Sequence, residues 1–254
     1  MTMVRQYRCF VFTVAFVVLL SFHAYAGRTV RNDATVTMIH GAAYAHTTGA
    51  KAAVPIKKND RLSKDQEVRV GKKSRIEIRF PDGTMMRLAE NSRIHLSEIT
   101  YDKKQGSKKL KVDLLLGKLW ANVRRLLTPD SAVEVKTANA VAGVRGTVYR
   151  VNVDEDTSAM VKVYEGSVFV AGRPQQISKT ASEVSGPVPV PGPHEVPPPH
   201  HEVTREEWEV IVQSMQQISI SPQGVASKPQ TFSPADDADD WVQWNQGRDK
   251  GLAF

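Results

Sequence analysis

Lys136-Thr137-Ala138-Asn139-Ala140-Val141-Ala142-Gly143-Val144-Arg145-Gly146-Thr147-Val148-Tyr149-Arg150-Val151-Asn152-Val153 is the stretch that decides the fold. Two apolar runs rich in β-branched residues flank an Arg145-Gly146 pair, and glycine there lets the backbone take a conformation that a Cβ would forbid. The reading is strand, corner, strand. Arg145 is a long cation between apolar neighbours, and the expectation is a buried organiser whose guanidinium satisfies carbonyls or a carboxylate at the corner. The alternative is that Arg145 grips an anionic ligand.

The same pattern continues on both sides. Upstream, residues 74–80 alternate with period two, which sends Ile76, Ile78 and Phe80 to one face and the charges to water. Pro81-Asp82-Gly83 is a tight turn, and residues 84–88 are its return strand. Residues 89–92 form a second turn, and residues 93–99 a strand whose alternation slips near Glu98. Residues 110–116 and 118–123 are joined by Gly117 alone, so the chain is expected to bend sharply there without stopping. Residues 36–39 open the domain as a strand, and residues 41–51, small and polar, are expected as a loop. Downstream, residues 132–137, 146–153, 160–164 and 167–170 read as strands, with Glu165-Gly166 as a turn. Glycine corners without helical periodicity predict an all-β fold, either an irregular β-sandwich or a short β-solenoid-like stack of antiparallel strands. No fixed period links the corners, which favours an irregular stack.

Beyond residue 172 the composition changes. Residues 187–199 hold seven prolines and read as a semi-rigid linker. Thr204-Arg205-Glu206-Glu207 has capping-box spacing, and Trp208, Ile211, Val212 and Met215 fall at helical intervals, so one C-terminal helix is predicted over residues 205–217. Residues 218–254 read as an irregular tail in which Asp236, Asp237, Asp239 and Asp240 precede Trp241 and Trp244. The Trp pair either fills a groove on the β domain or stays at a mobile acidic end. Trp208, Trp241 and Trp244 are the candidate partner contacts. The expected division is a signal peptide over 1–26, a strand and loop segment over 27–59, the β domain over 60–172, a Pro-rich linker over 173–203, a helix over 204–218 and an acidic tail over 219–254.

At the other end, Arg5 and Arg8 precede an apolar run from Cys9 to Phe22, and Ala24-Tyr25-Ala26 offers the small residues of a cleavage site. The run is shorter than the roughly 20 residues that span a bilayer. A cleaved secretory signal is expected, with a mature chain that has no transmembrane anchor and is periplasmic or at the cell surface. Cys9 is the only cysteine of the chain, so that mature chain would have no disulfide, no thiolate metal site and no thiol chemistry.

Charge divides the chain. Residues 27–172 carry 26 Lys and Arg against 16 Asp and Glu, a balance of +10, whereas residues 173–254 carry 6 against 11, a balance of −5. A basic body suits an anionic polymer or a protein partner, and for an exported chain nucleic acid is not expected. Lys103, Lys104, Lys108, Lys109 and Lys111 surround Gln105-Gly106-Ser107 and read as solvated lysines of a hairpin tip.

No serine-hydrolase elbow, phosphate loop, metalloprotease helix or dinucleotide fingerprint is present. Asp82 and Glu90 sit in turns, where acidic residues cap backbone groups. His194, His200 and His201 with Glu195 and Glu202 offer metal-ligand types, but the surrounding prolines oppose closure around an ion. No catalytic residue, cofactor or metal is therefore expected.

Asp82-Gly83-Thr84, Asn91-Ser92, Leu116-Gly117-Lys118-Leu119, Val141 to Thr147 with Gly143, Arg145 and Gly146, and Tyr164-Glu165-Gly166-Ser167-Val168 occur in this order. Together, over about residues 60–172, they resemble the FecR domain. The resemblance implies a non-catalytic β module whose motif residues are structural or contact a ligand. Such domains often carry Pro after the threonine that opens the central motif, where this chain has Ala138 after Thr137. FecR regulators that relay iron-transport signals have a cytoplasmic anti-sigma segment before a membrane helix, and here eight residues precede the apolar run. The expectation is a freestanding exported form acting as a binding or scaffold module. A sensory partner of a membrane signalling protein is the alternative, and a hydrolase or lyase comes third.

Overall fold

A computed structural model describes residues 32–47, 49–50, 52–125, 128–172 and 209–252, and in it the alternating segments are strands. The first half contains β1 (Ala34–His40), β2 (Ala43–Thr47), β3 (Val54–Pro55), β4 (Arg61–Leu62), β5 (Gln66–Val70) and β6 (Arg75–Arg79). It continues with β7 (Met85–Leu88), β8 (Arg93–Asp102) and β9 (Ser107–Asn122). The second half contains β10 (Ala132–Lys136), β11 (Ala140–Val144), β12 (Val148–Val153), β13 (Ala159–Glu165) and β14 (Ser167–Gly172). After it come β15 (Glu209–Gln213), β16 (Gln216–Ile220), β17 (Gln230–Thr231) and α1 (Asp240–Lys250).

The strands make two sheets that share β9. The first has the order β4-β1-β6-β7-β9-β12-β13-β16-β17. The second has the order β3-β2-β5-β8-β9-β10-β11-β14-β15. Among the described strands all pairings are antiparallel except β9 with β10. Val36, Ile78, Leu119, Val151 and Val161 of the first sheet share one apolar core with Val68, Ile94, Leu114, Val135 and Val168 of the second.

Corners are where the chain passes between sheets. β1 leads into β2, β5 into β6, β7 into β8, β11 into β12, β13 into β14 and β15 into β16, and each step changes sheet. β9 does this within one strand: residues up to Leu116 pair with β8, and residues from Gly117 pair with β12. Gly117 has φ +92, and a Cβ there would lie 2.6 Å from the Ser92 backbone, so the bend needs both the conformation and the missing side chain. The result is a solenoid-like stack of rungs closed as a sandwich. The slip expected near Glu98 is a register shift between Leu96 and Glu98.

Four expectations need correction. Residues 43–47, expected in a loop, form β2 against β5. Over the described residues 209–217 of the helix predicted for 205–217 the chain is strand instead: β15 pairs with β14 and β16 with β13, separated by Met215 at φ 60. Val210, Val212, Ile218 and Ile220 alternate into the sheets instead. The stretch expected as an irregular tail contains β17 and α1, whose first turn is capped by Asp239 accepting from the Val242 N–H at 2.7 Å. Lastly, the charges of residues 74–80 do not all face water, since Glu77 is buried. The signal segment, the Pro-rich linker, Trp208 and the His/Glu tract lie outside the described residues.

The outer face of the first sheet explains that burial. Glu77, Arg87, Trp120, Arg150 and Lys162 project from adjacent strands and are covered by residues 232–250. Glu77 accepts from Arg87 Nε at 2.6 Å, from Arg248 Nε and Nη2 at 2.7 Å each and from Thr37 at 2.7 Å. Asp249 accepts from Arg87 Nη1 at 2.7 Å and from the Trp120 indole N–H at 2.9 Å. Further along, Asp237 accepts from Arg150 at 2.7 Å, Lys162 at 2.8 Å and the Tyr164 hydroxyl at 2.5 Å. Trp120 stacks on Tyr164 at 4.4 Å and so links the two clamps.

The arginine cleft at the Gly146 corner

The β6–β7 turn, the end of β9, the β11–β12 corner and the β13–β14 corner all meet at one end of the stack. Asp82, Lys108, Asn122, Arg124, Arg125, Arg145, Gly146, Thr147 and Glu165 line a cleft there of about 770 Å³. Gly146 has φ +85, and a Cβ on it would lie 2.9 Å from the Arg125 Cα. Glycine is thus what lets the corner close onto the segment that carries Arg124 and Arg125.

The arrangement corrects the reading of Arg145, which is exposed. The buried organisers are Arg87 and Arg150, which the corner motif did not single out. Arg124 and Arg125 are exposed as well, and neither Arg125 nor Arg145 forms an ion pair with a described residue. Lys108 departs from expectation in the other direction. It is buried, bonds Asp82, and donates to the Arg124 carbonyl at 2.9 Å. Lys103, Lys104 and Lys109 are exposed, and Lys111 pairs with Glu98 at 3.0 Å.

Asp82 also accepts from the Thr84 N–H at 3.1 Å, and Glu90 accepts from the Lys73 N–H at 2.6 Å, so both turn carboxylates do cap backbone groups. With Asp82 held by Lys108, Glu165 is the remaining acid on the cleft wall, facing three arginines. Guanidinium groups are planar, bidentate donors, the chemistry that suits a carboxylate or phosphate. A nucleophile paired with a base is not among its lining residues.

Of the motif residues read from sequence, Asp82, Gly83, Arg145, Gly146, Thr147 and Gly166 gather at this end. Gly83 packs against Arg124, and Gly166 against Thr147. Gly117 does not join them. It lies at the opposite end, where it lines a groove of mixed charge with Lys73, Glu90, Asp154, Asp240 and Trp241. Gly143 lies in β11 on the outer face of the second sheet, in a shallow groove with Phe169, Ile211 and Arg145. Arg145 therefore stands between that groove and the cleft. Trp241 and Trp244 stack at 5.3 Å within α1, and Trp244 lies under Arg75 at 4.8 Å, so the Trp pair is docked on the β domain. Arg124 and Arg125 were missed because they follow a strand without a motif of their own; their adjacency after Val123 was the only signal.

A protein-family model described as FecR protein matches residues 66–169. No curated protein matches the chain. Among solved structures, a candidate anti-sigma factor from Parabacteroides distasonis ATCC 8503, determined at 1.65 Å, is similar with 20% identity and a TM-score of 0.47. The alignment covers 71% of this chain and 65% of that one. A second structure described in the same words, at 2.50 Å, has 18% identity and a TM-score of 0.43, with 66% and 60% covered. The chain thus spans less than two thirds of each of these neighbours.

Proposed function

We propose that this chain, which carries a FecR domain over residues 66–169, is a non-catalytic binding module whose arginine cleft holds an anionic polymer of the cell envelope. The observation that carries the reading is the convergence of Arg124, Arg125 and Arg145 on one cleft whose inner carboxylate, Asp82, is already engaged by Lys108. Three guanidinium groups at one corner attract a chain of phosphates or carboxylates at long range and then bind it through paired N–H donors. The basic balance of residues 27–172 extends that field beyond the cleft. Export rests on the sequence of residues 1–26, and the absence of chemistry rests on the composition of the cleft wall.

The test is retention of the purified chain on immobilised inorganic polyphosphate and polygalacturonate, with neutral dextran as control. Retention on both polyanions that falls with added salt and is lost in the Arg125→Glu, Arg145→Glu double variant supports the reading. Equal retention of the double variant rejects it. A second reading, regulation of a protein partner, is favoured by the FecR match, and a membrane-protein partner captured independently of Arg125 and Arg145 would favour it over the first.

A further inference from the structure

Stacked sheets end in edges, and four strands end these: β4 and β17 in the first sheet, β3 and β15 in the second. Three of them are blunted. β3, β4 and β17 are two residues each, and Pro55 in β3 has no N–H to offer. β15 is different. It runs five residues, Glu209-Val210-Ile211-Val212-Gln213, and among the described strands it pairs in its sheet with β14 alone. It holds no proline, no lysine and no bulge, the devices that usually keep an edge from pairing.

The open side of β15 is also polar in the right places. The Gln213 N–H is taken by the Gln216 side chain at 3.0 Å, so it points away from β14. Antiparallel alternation then turns the peptide groups of Ile211 and Glu209 to that same open side. The neighbouring outer face is apolar: Ile211 is 58% exposed, and Phe169, its cross-strand partner, is 43% exposed.

We infer that β15 pairs with β15 of a second copy of this chain, antiparallel about a two-fold axis at Ile211. The strand is complementary to itself in that register. Ile211 exchanges its outward N–H and C=O with Ile211 of the partner subunit, and Val210 lies opposite Val212 of the partner subunit. Glu209 lies opposite Gln213 of the partner subunit, so a carboxylate meets an amide instead of a second carboxylate. A slip of two residues moves the axis to Val210 and sets Glu209 against Ile211 of the partner subunit, a carboxylate against an apolar side chain, which favours the register centred on Ile211. The second sheets of both copies become one sheet, and the exposed Phe169–Ile211 pairs align into one apolar stripe. A five-residue strand pair is a small interface, so the dimer is weak and concentration-dependent. It also puts two arginine cleft sites on one particle, which raises avidity for a repeating ligand if the proposed function holds. The dimer itself does not depend on that reading.

Sedimentation of the purified chain from micromolar to near-millimolar concentration tests this, read together with amide exchange at Ile211. Expected are a mass that rises towards two chains, slower Ile211 exchange at high concentration, and a monomer with an unchanged circular dichroism spectrum for Ile211→Lys. Leu115→Lys, at an exposed leucine of β9 away from the edge, keeps the dimer. A monomer throughout overturns the inference, as does a dimer that Ile211→Lys leaves intact. Ile211 protection that is already complete in a dilute monomer also overturns it, because the edge is then covered by the chain itself.

Discussion

Gly146 and Glu77 each carry a constraint that a single substitution tests. At Gly146 the backbone is left-handed and a Cβ would lie within 2.9 Å of the Arg125 Cα, so Gly146→Ala is expected to cost about 1–3 kcal/mol and to displace Arg125. Thermal or denaturant unfolding measures the loss, and weakened polyphosphate retention measures the displacement. At Glu77, burial alone would raise the carboxyl pKa, but hydrogen bonds from Arg248, Arg87 and Thr37 outweigh it and hold the group at about 2, below its ordinary 4.5. A lowered folded-state value means stability that is fully present above pH 4.5 and is lost as pH falls towards 2. Acid unfolding should therefore be shallower across that window in Glu77→Gln than in the wild type. At neutral pH the same variant leaves Arg87 buried without one carboxylate, an expected loss of about 3 kcal/mol.

Among the elements, α1 is the most instructive because its sequence hid it. Its sheet-facing side mixes Val242 and Trp244 with Asn245, Arg248 and Asp249 rather than forming a continuous apolar stripe, since the surface it covers is itself charged. No 3.6-residue hydrophobic pattern exists there to be read. Removing residues 239–252 exposes Glu77, Arg87 and Trp120 together, so Trp fluorescence should shift to the red and the folded state should weaken by several kcal/mol. Arg248→Ala is milder, about 1–2 kcal/mol, because its side chain is 40% exposed. The strands from β6 to β14 were legible because period-two alternation matches burial on the core side. β15 and β16 misled because Trp208, Ile211, Val212 and Met215 happen to fall at helical spacing. The β-branched run Val210-Ile211-Val212 and the alternation at Ile218 and Ile220 were the better signal. In the same way, alternation told that Glu77 leaves the core face but not that a segment more than 150 residues away would bury it.

Across the described β domain, the strand-corner-strand rungs bring the corner motifs of the proposed binding site to one end. The motif glycines place four chain segments around a single cleft; each corner was legible in the sequence, but their convergence was not. The arginine set was not legible either, because Arg124 and Arg125 enter it only through the packing of Gly146 and Gly83. The distribution of charge makes a further prediction: polyanion affinity should fall steeply with salt, and reversing Arg125 and Arg145 should flatten that slope along with lowering the affinity. Backbone amide exchange of the chain with and without polyphosphate is the most direct measurement. The account predicts slowed exchange at residues 122–125 and 145–148, with the opposite groove around Gly117 unchanged. Slowed exchange around Gly117 and Trp241, with residues 122–125 and 145–148 unaffected, would contradict it.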